Sequence, residues 1–443
     1  MITRTVAHSI PKDHFLLNSR PAAGIALAVF LIVAPTSKAA PPNTESWIGS
    51  WASSPQLVEP QNRPPQPGLA GNTLRQVVHL TLGGSRIRLR LSNEFGGQPM
   101  TLDTVHVALP VASTAPMVKG VPGSGAEGVI PTTGAIRSDT DHAVTFGAHE
   151  SVTIQPGAIV VSDPIELPVA PLSDLAISFL ASKVPDGITG HPGSRATSFL
   201  MTGNSVSSAT LTDPVTADHW YVLDGVDVAG KSGGGSVVVL GDSITDGRGS
   251  VTNGNTRWAD YLAKRLGANK HTANIGVLNE GIGGNCILRG GLGPTALSRF
   301  DRDVISQSGV KWLLIFEGVN DIGGSRRMPA GGQPTVADGI IFALQQFILR
   351  AHAHGIKVYV ATITPFGGGS YSSPVTEAAR TEVNDWIRTS GKFDAVADFD
   401  KAARDPEKPG QLAADADSGD HLHLSSAGYK RLAESIDLKL FAQ

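Results

Sequence analysis

Cysteine is almost missing from this chain: its 443 residues include one, Cys286. No disulfide can form within it, so stability has to come from buried apolar surface, which a chain of this length can supply. An excess of either charge is missing too. With 36 basic and 39 acidic residues and a net charge of −3, there is no electrostatic case for a nucleic-acid partner. The apolar run Ala22 to Ala34 (AAGIALAVFLIVA) is shorter than a membrane-spanning helix requires. A hydrophobic content of 41% with 17% charged residues excludes a disordered chain. What abounds is glycine, at 51, and proline, at 29, which mark turns and point to much β-structure ahead of the last third of the chain.

The N-terminus has the order of a secretion signal. Lys12 and Arg20 precede the apolar run, and Ser37-Lys38-Ala39 puts small residues at the −3 and −1 positions for cleavage before Ala40. The expectation is a signal peptide over 1–39 and a secreted or periplasmic protein with no stable membrane span after cleavage. The other reading is an uncleaved N-terminal anchor.

Two compositional halves follow. Over 45–228 the text is strand-like. Val78, Leu80 and Leu82 alternate with His79 and Thr81, and Ile87, Leu89 and Leu91 alternate with Arg86, Arg88 and Arg90. Around Gly83-Gly84-Ser85 this predicts a hairpin with one apolar and one basic face. The basic face fits a solvated surface or a domain interface better than a site for an acidic polymer. Further strand candidates at 105–109, 151–154, 159–161 and 175–180 suggest a β-sandwich. The Gly/Ser-rich segment 229–236 reads as a linker. From 237 the rhythm becomes strand–helix alternation, with strands expected at 237–240, 275–278, 312–316, 358–363 and 395–399. Helices are expected at 257–266, 295–306, 336–354, 377–389 and 425–440, the third carrying a stripe of Ile341, Leu344 and Ile348. Such alternation predicts a parallel sheet covered by helices on both faces, with ligands at the carboxyl ends of the strands.

The chemistry lies at those ends. Gly241-Asp242-Ser243 follows the first strand, "NEGIGGN" (279–285) the second and "EGVND" (317–321) the third, while "DHLH" (420–423) precedes the last helix. A serine is a weak nucleophile and needs an adjacent base. His423 can be that base, and Asp420, three residues ahead, can hold the tautomer that leaves Nε2 free. His421 competes, but Ser418 stands three residues before it, so it is expected to lack a carboxylate orienter. Asn320 offers a side-chain amide and Gly284 an unobstructed backbone N–H for an oxyanion. Each block alone has a plain alternative as a helix cap, a turn or a flexible loop; their joint order favours one site. The strand ends carry no Gly-x-Ser-x-Gly elbow, so the common α/β-hydrolase arrangement is not supported.

Together, Gly-Asp-Ser-Ile-Thr, a loop glycine, Gly-x-Asn-Asp and Asp-x-x-His resemble the SGNH hydrolases, also called GDSL esterases and lipases, over residues 236–443. That resemblance implies a three-layer α/β/α catalytic domain at 237–443 with a parallel sheet of about five strands. It puts the nucleophile on Ser243, the base on His423 and its orienter on Asp420. The oxyanion donors fall on Ser243 N–H, Gly284 and Asn320, with Asp242, Gly318 and Asp321 in support. Gly281, Gly283 and Gly284 crowd together, and Gly284 is chosen because it stands before a polar residue, Asn285. "WIGSWASSP" (47–55) and "LRQVVHLTLGG" (74–84) resemble the β-domain of a secreted bacterial and fungal subgroup, some of whose members are linked to xylan degradation. The expectation is a serine esterase acting on short acyl esters, acetyl groups on polysaccharide included, with no metal or organic cofactor. A lipase or arylesterase of the same family is the alternative within hydrolases. A carbohydrate-binding protein with a vestigial hydrolase half is the alternative outside them.

Other signals are weaker. Gly281-x-Gly283-Gly284 lacks the spacing of a dinucleotide loop. His352 and His354 point apart on a helix, so metal binding there is disfavoured. Asp415, Asp417 and Asp420 lack the distal Glu of a calcium loop. Cys286 fits a small packed residue better than a nucleophile.

Overall fold

Strand periodicity in the first half builds two antiparallel sheets. The computed structural model describes residues 46–121, 125–230, 233–326 and 335–442; the expected signal peptide and part of the 229–236 linker lie outside them. The main strands are β1 (Trp47–Ala52), β2 (Asn72–Leu80), β3 (Ile87–Ser92), β4 (Met100–Ala108), β5 (Ser173–Lys183), β6 (Ser198–Thr202) and β7 (Leu223–Ala229). One sheet runs β1-β7-β3 and ends on Ile159–Val161. The other runs Val215–Ala217, β6, β2, β5, β4, with short strands on the outer edge of β4. Their inward residues, among them Val78, Leu80, Ile87, Leu89, Leu91, Val105 and Ile177, form one buried core.

The expected hairpin does not form. β2 pairs with β5 and β6, and β3 with β7 and Ile159–Val161, so the two strands belong to different sheets. Period-2 alternation states which face is buried but not which strand lies alongside, and here the two apolar faces meet across the core. The turn between them is tight: a Cβ on Gly83 would lie 2.6 Å from the Pro171 nitrogen. The basic face is an internal junction. Arg88 pairs with Asp227 at 2.9 Å, and Arg90 is buried against Asp224 at 3.0 Å and Gln307 at 2.5 Å.

The second half is a parallel sheet of five strands: β8 (Gly235–Gly241), β9 (Ile275–Gly281), β10 (Val310–Phe316), β11 (Lys357–Ala361) and β12 (Ala395–Ala397). Its order is β9-β8-β10-β11-β12. Val237 to Leu240 are wholly buried on both faces, which is why the strand reads as an unbroken aliphatic run. The helices are α1 (Ser243–Asp246), α2 (Trp258–Ala268), α3 (Ala296–Phe300), α4 (Val319–Ser325), α5 (Val336–Ala353), α6 (Pro374–Thr389), α7 (Phe399–Ala403) and α8 (Ser426–Ser435). α2, α7 and α8 pack together in one layer, and α3 to α6 in the other. Two expected helices are shorter than the pattern suggests: 295–306 divides into α3 and a wider-wound turn at Asp301–Ile305, and α8 stops before an extended Ile436. On α5 the innermost residues are Ile340, Leu344, Phe347 and Ile348; Ile341 is half-buried, one position off the core-facing stripe.

The two halves touch closely, and Glu45–Gln443 forms one compact unit. β1 lies on β9, where a Cβ on Gly276 would meet the Gly49 carbonyl at 2.1 Å. Thr81 Oγ1 accepts the Val277 N–H at 2.9 Å. Among the described residues no helix is long and apolar enough to cross a membrane.

Candidate active site

Three strands deliver their ends to one level: Gly241 of β8 is in register with Gly281 of β9 and Phe316 of β10. The chain turns there from strand into helix within two residues. Gly241 is required because a Cβ would lie 2.2 Å from Thr245 Oγ1 and 2.5 Å from the Phe316 carbonyl. Asp242 caps α1, its Oδ1 accepting the Ile244 N–H at 2.9 Å. Burial pushes its carboxyl up to about 7, with Asp321 and Asp246 adding to the rise and the Ile244 N–H opposing it. Asp242 is thereby a structural cap, and Ser243 opens the helix.

Ser243, His423 and Asp420 come together. Ser243 Oγ lies 2.8 Å from His423 Nε2, and His423 Nδ1 lies 2.7 Å from Asp420 Oδ2. The other carboxylate oxygen accepts the backbone N–H of His423 at 2.8 Å and of Leu422 at 3.1 Å, which locks the Asp-x-x-His turn. A carboxylate against Nδ1 assigns the proton there and leaves the Nε2 lone pair for the serine hydroxyl. Burial opposes ionisation of Asp420, but the hydrogen bond and charge of His423 outweigh it and hold the carboxyl well below the usual range. Ser243 and His423 are buried, whereas the Asp420 side chain is 45% exposed.

The oxyanion candidates converge on the same edge. Gly284 has φ +71°, a conformation that favours glycine, on a loop laid against the Asn320 block. Asp321 accepts the N–H groups of Ile287 (2.8 Å) and Leu288 (3.0 Å), and Asn320 Nδ2 donates to the Asn285 carbonyl at 2.8 Å. That leaves the second Nδ2–H of Asn320 free for a ligand. Ser243 N–H and Gly284 N–H have no acceptor among the described residues. Gly318, at φ +114°, turns the chain from β10 into α4 and so places Asn320. Each of the four blocks therefore contributes to one cluster.

Sequence reasoning missed several partners. Tyr371 donates its hydroxyl to Asn320 Oδ1 at 2.9 Å and so fixes which way the amide faces. His191, from the β-rich half, binds Asp246 Oδ1 at 2.9 Å, one helical turn after the serine. Ser54 and Arg299 meet beneath the site. These contacts link residues far apart in sequence; the one local signal was an arginine, Arg299, among the apolar positions of α3. His421 does have an orienter: Asp417, four residues upstream, reaches its Nδ1 at 2.5 Å because His421 takes a left-handed φ of +60°. It stays exposed, and the contact to Ser243 belongs to His423. Cys286 is buried, and burial pushes its thiol up to about 12, the reverse of an activated nucleophile. His352 pairs with Asp394 at 2.8 Å, and Asp415 with Arg431. No group of metal-ligating side chains occurs among the described residues. A cavity of about 240 Å³ between the halves is lined by Trp51, His191, Trp220 and Asp246 among others, and not by Ser243.

Residues 239–431 match the model of the GDSL-like lipase/acylhydrolase family. No curated protein matches the chain. Among solved structures, the chain is similar to an acetylxylan esterase from Geobacillus stearothermophilus, with 22% identity over 48% of this chain and 94% of that one and a TM-score of 0.35. It is also similar to a GDSL-like lipase from Bacteroides thetaiotaomicron, with 19% identity over 46% and 87% and a TM-score of 0.34. An α/β hydrolase enzyme from the metagenome of Lake Arreo, Spain, is 19% identical over 47% and 94%, with a TM-score of 0.36.

Proposed function

We propose that this chain, whose residues 239–431 match the model of the GDSL-like lipase/acylhydrolase family, hydrolyses ester bonds through an acyl-enzyme on Ser243. The observation that carries the reading is the unbroken relay from Ser243 Oγ through His423 to Asp420, at 2.8 and 2.7 Å. Ser243 Oγ attacks the ester carbonyl while His423 Nε2 takes its proton. The tetrahedral oxyanion is received by Ser243 N–H, Gly284 N–H and the free Asn320 amide hydrogen. Collapse expels the alcohol, which takes the proton from His423. A water then loses its proton to the same nitrogen as it attacks the acyl carbon, and collapse breaks the bond to Ser243 Oγ, which takes that proton back from His423 as the carboxylic acid leaves. Asp420 stabilises the imidazolium at both steps.

The substrates we propose are short acyl esters, acetyl groups on a polysaccharide among them, and the protein acts outside the cytoplasm. The leader-like order of 1–39 supports the second statement. The test is a panel of p-nitrophenyl esters from acetyl to palmitoyl beside acetylated xylan. Acetyl and butyryl esters should turn over fastest, and Ser243→Ala should abolish all turnover. Preferential hydrolysis of palmitoyl ester would replace the short-acyl reading with a lipase.

A further inference from the structure

Arg299 reaches the nucleophile strand, the glycine loop and the β-rich half at once. Its side chain is wholly buried on α3. Nη2 donates to the Gly241 carbonyl at 3.0 Å, two residues before Ser243. Nε donates to Asn285 Oδ1 at 3.1 Å and Nη1 to the Glu280 carbonyl at 2.7 Å, so the fork grips both ends of the segment that carries Gly284. Nη1 also meets Asp303 Oδ2 at 2.8 Å and Ser54 Oγ at 2.7 Å, the latter supplied by the β-rich half. Ser54 lies 2.8 Å from both Glu280 Oε2 and Asp303 Oδ2 and thereby belongs to the same buried cluster.

We propose that Arg299 is a positioning residue for the reaction: its guanidinium fixes the spacing between the backbone donors of Ser243 and Gly284, and Ser54 anchors it from the β-rich half. This inference rests on the serine-esterase reading above. Charge balance alone is met by Asp303 and by the buried Glu317, whose Oε2 lies 3.8 Å from Nη2. The additional acceptors lie on β8, at the end of β9 and on the loop beyond it, the pieces whose relative placement sets the oxyanion hole. A planar fork holds several acceptors at fixed angles, which the point charge of a lysine cannot do. Arg299 makes no contact with His423 or Asp420, so its loss acts on oxyanion stabilisation and leaves the base alone. A misplacement of about 1 Å caused by a change away from the reacting atoms forfeits on the order of 10²-fold in rate.

The test compares wild type with Arg299→Lys on p-nitrophenyl acetate and on a fluorophosphonate, whose attack by Ser243 uses the same donors. Expected is a kcat about 100-fold lower, a KM within about threefold, a parallel fall in inactivation rate and an unmoved pH profile. A folded Arg299→Lys protein with kcat within threefold of wild type would overturn the proposal. Should that variant fail to fold, Ser54→Ala decides. It removes one acceptor of Nη1, and a kcat about fivefold lower at constant KM supports the proposal, whereas unchanged kcat overturns it. Failure of the underlying reading looks different: wild type would resist the fluorophosphonate and Ser243→Ala would keep its activity.

Discussion

Replacing Asp420 by asparagine is the sharpest test of how the relay holds its proton. Asp420 Oδ1 accepts two backbone N–H groups, from His423 and Leu422. An asparagine must keep its oxygen there, because an amide nitrogen facing two donors would leave both unpaired. Its Nδ2 then faces His423 Nδ1 across the 2.7 Å contact and donates to it. The imidazole is driven into the other tautomer, with the proton on Nε2 pointing at Ser243 Oγ, and the base is lost. A fully enclosed triad loses about 10⁴-fold in kcat by this route. Because the Asp420 side chain is 45% exposed, solvent lets some molecules relax, and we expect about 10³-fold, near 4 kcal/mol of barrier. Asp420→Ala should be less damaging, since water on Nδ1 imposes no tautomer. The assay is kcat on p-nitrophenyl acetate at pH 8, with melting curves to confirm folding. Asp420→Asn within threefold of wild type, or more active than Asp420→Ala, would refute the tautomer argument.

Two other perturbations follow from the same geometry. Asp242 ionises near pH 7 in the folded protein against an ordinary value of 3.8, so wild type should lose about 4 kcal/mol of stability from this group as pH rises from 4 to 8, beyond which the loss is complete. Asp242→Asn keeps the Oδ1 acceptor for Ile244 and cannot ionise; urea unfolding should find it gaining on wild type across that range, and a pH-independent difference would contradict the assignment. Tyr371→Phe removes the hydroxyl that aims the Asn320 amide, a neutral hydrogen bond worth about 1 kcal/mol, so kcat should fall about fivefold with KM steady. An unchanged kcat would remove Asn320 from the oxyanion hole or Tyr371 from its support.

The parallel sheet was legible because burial on both faces leaves a continuous aliphatic text, as at Val237 to Leu240, and because the chemistry follows directly at the strand ends. Ser243, Asn320, Asp420 and His423 stand in short local patterns whose own turns aim the side chains: Asp242 caps α1, Gly318 starts α4, and two backbone N–H groups lock Asp420. Pairing was not legible. Alternation around Gly83 gave the correct inward faces, yet partner choice depends on the far ends of β5 and β7, over 80 residues away. Arg90, Arg299, Ser54 and His191 were invisible as partners for the same reason. A buried charge becomes tolerable only when distant acceptors surround it, and no spacing rule encodes those acceptors. His421 shows the converse limit: one residue in a left-handed conformation moved the effective carboxylate from three positions upstream to four.

The claim on which the rest depends is that Ser243 Oγ, activated by His423, becomes covalently acylated. Incubating the full protein with a fluorophosphonate and locating the adduct by peptide mass spectrometry tests it most directly. The account predicts one phosphonyl group per chain, on Ser243, formed at a rate that collapses in His423→Ala. An adduct on another residue, or a Ser243→Ala protein that is labelled and hydrolyses esters as wild type does, would contradict it.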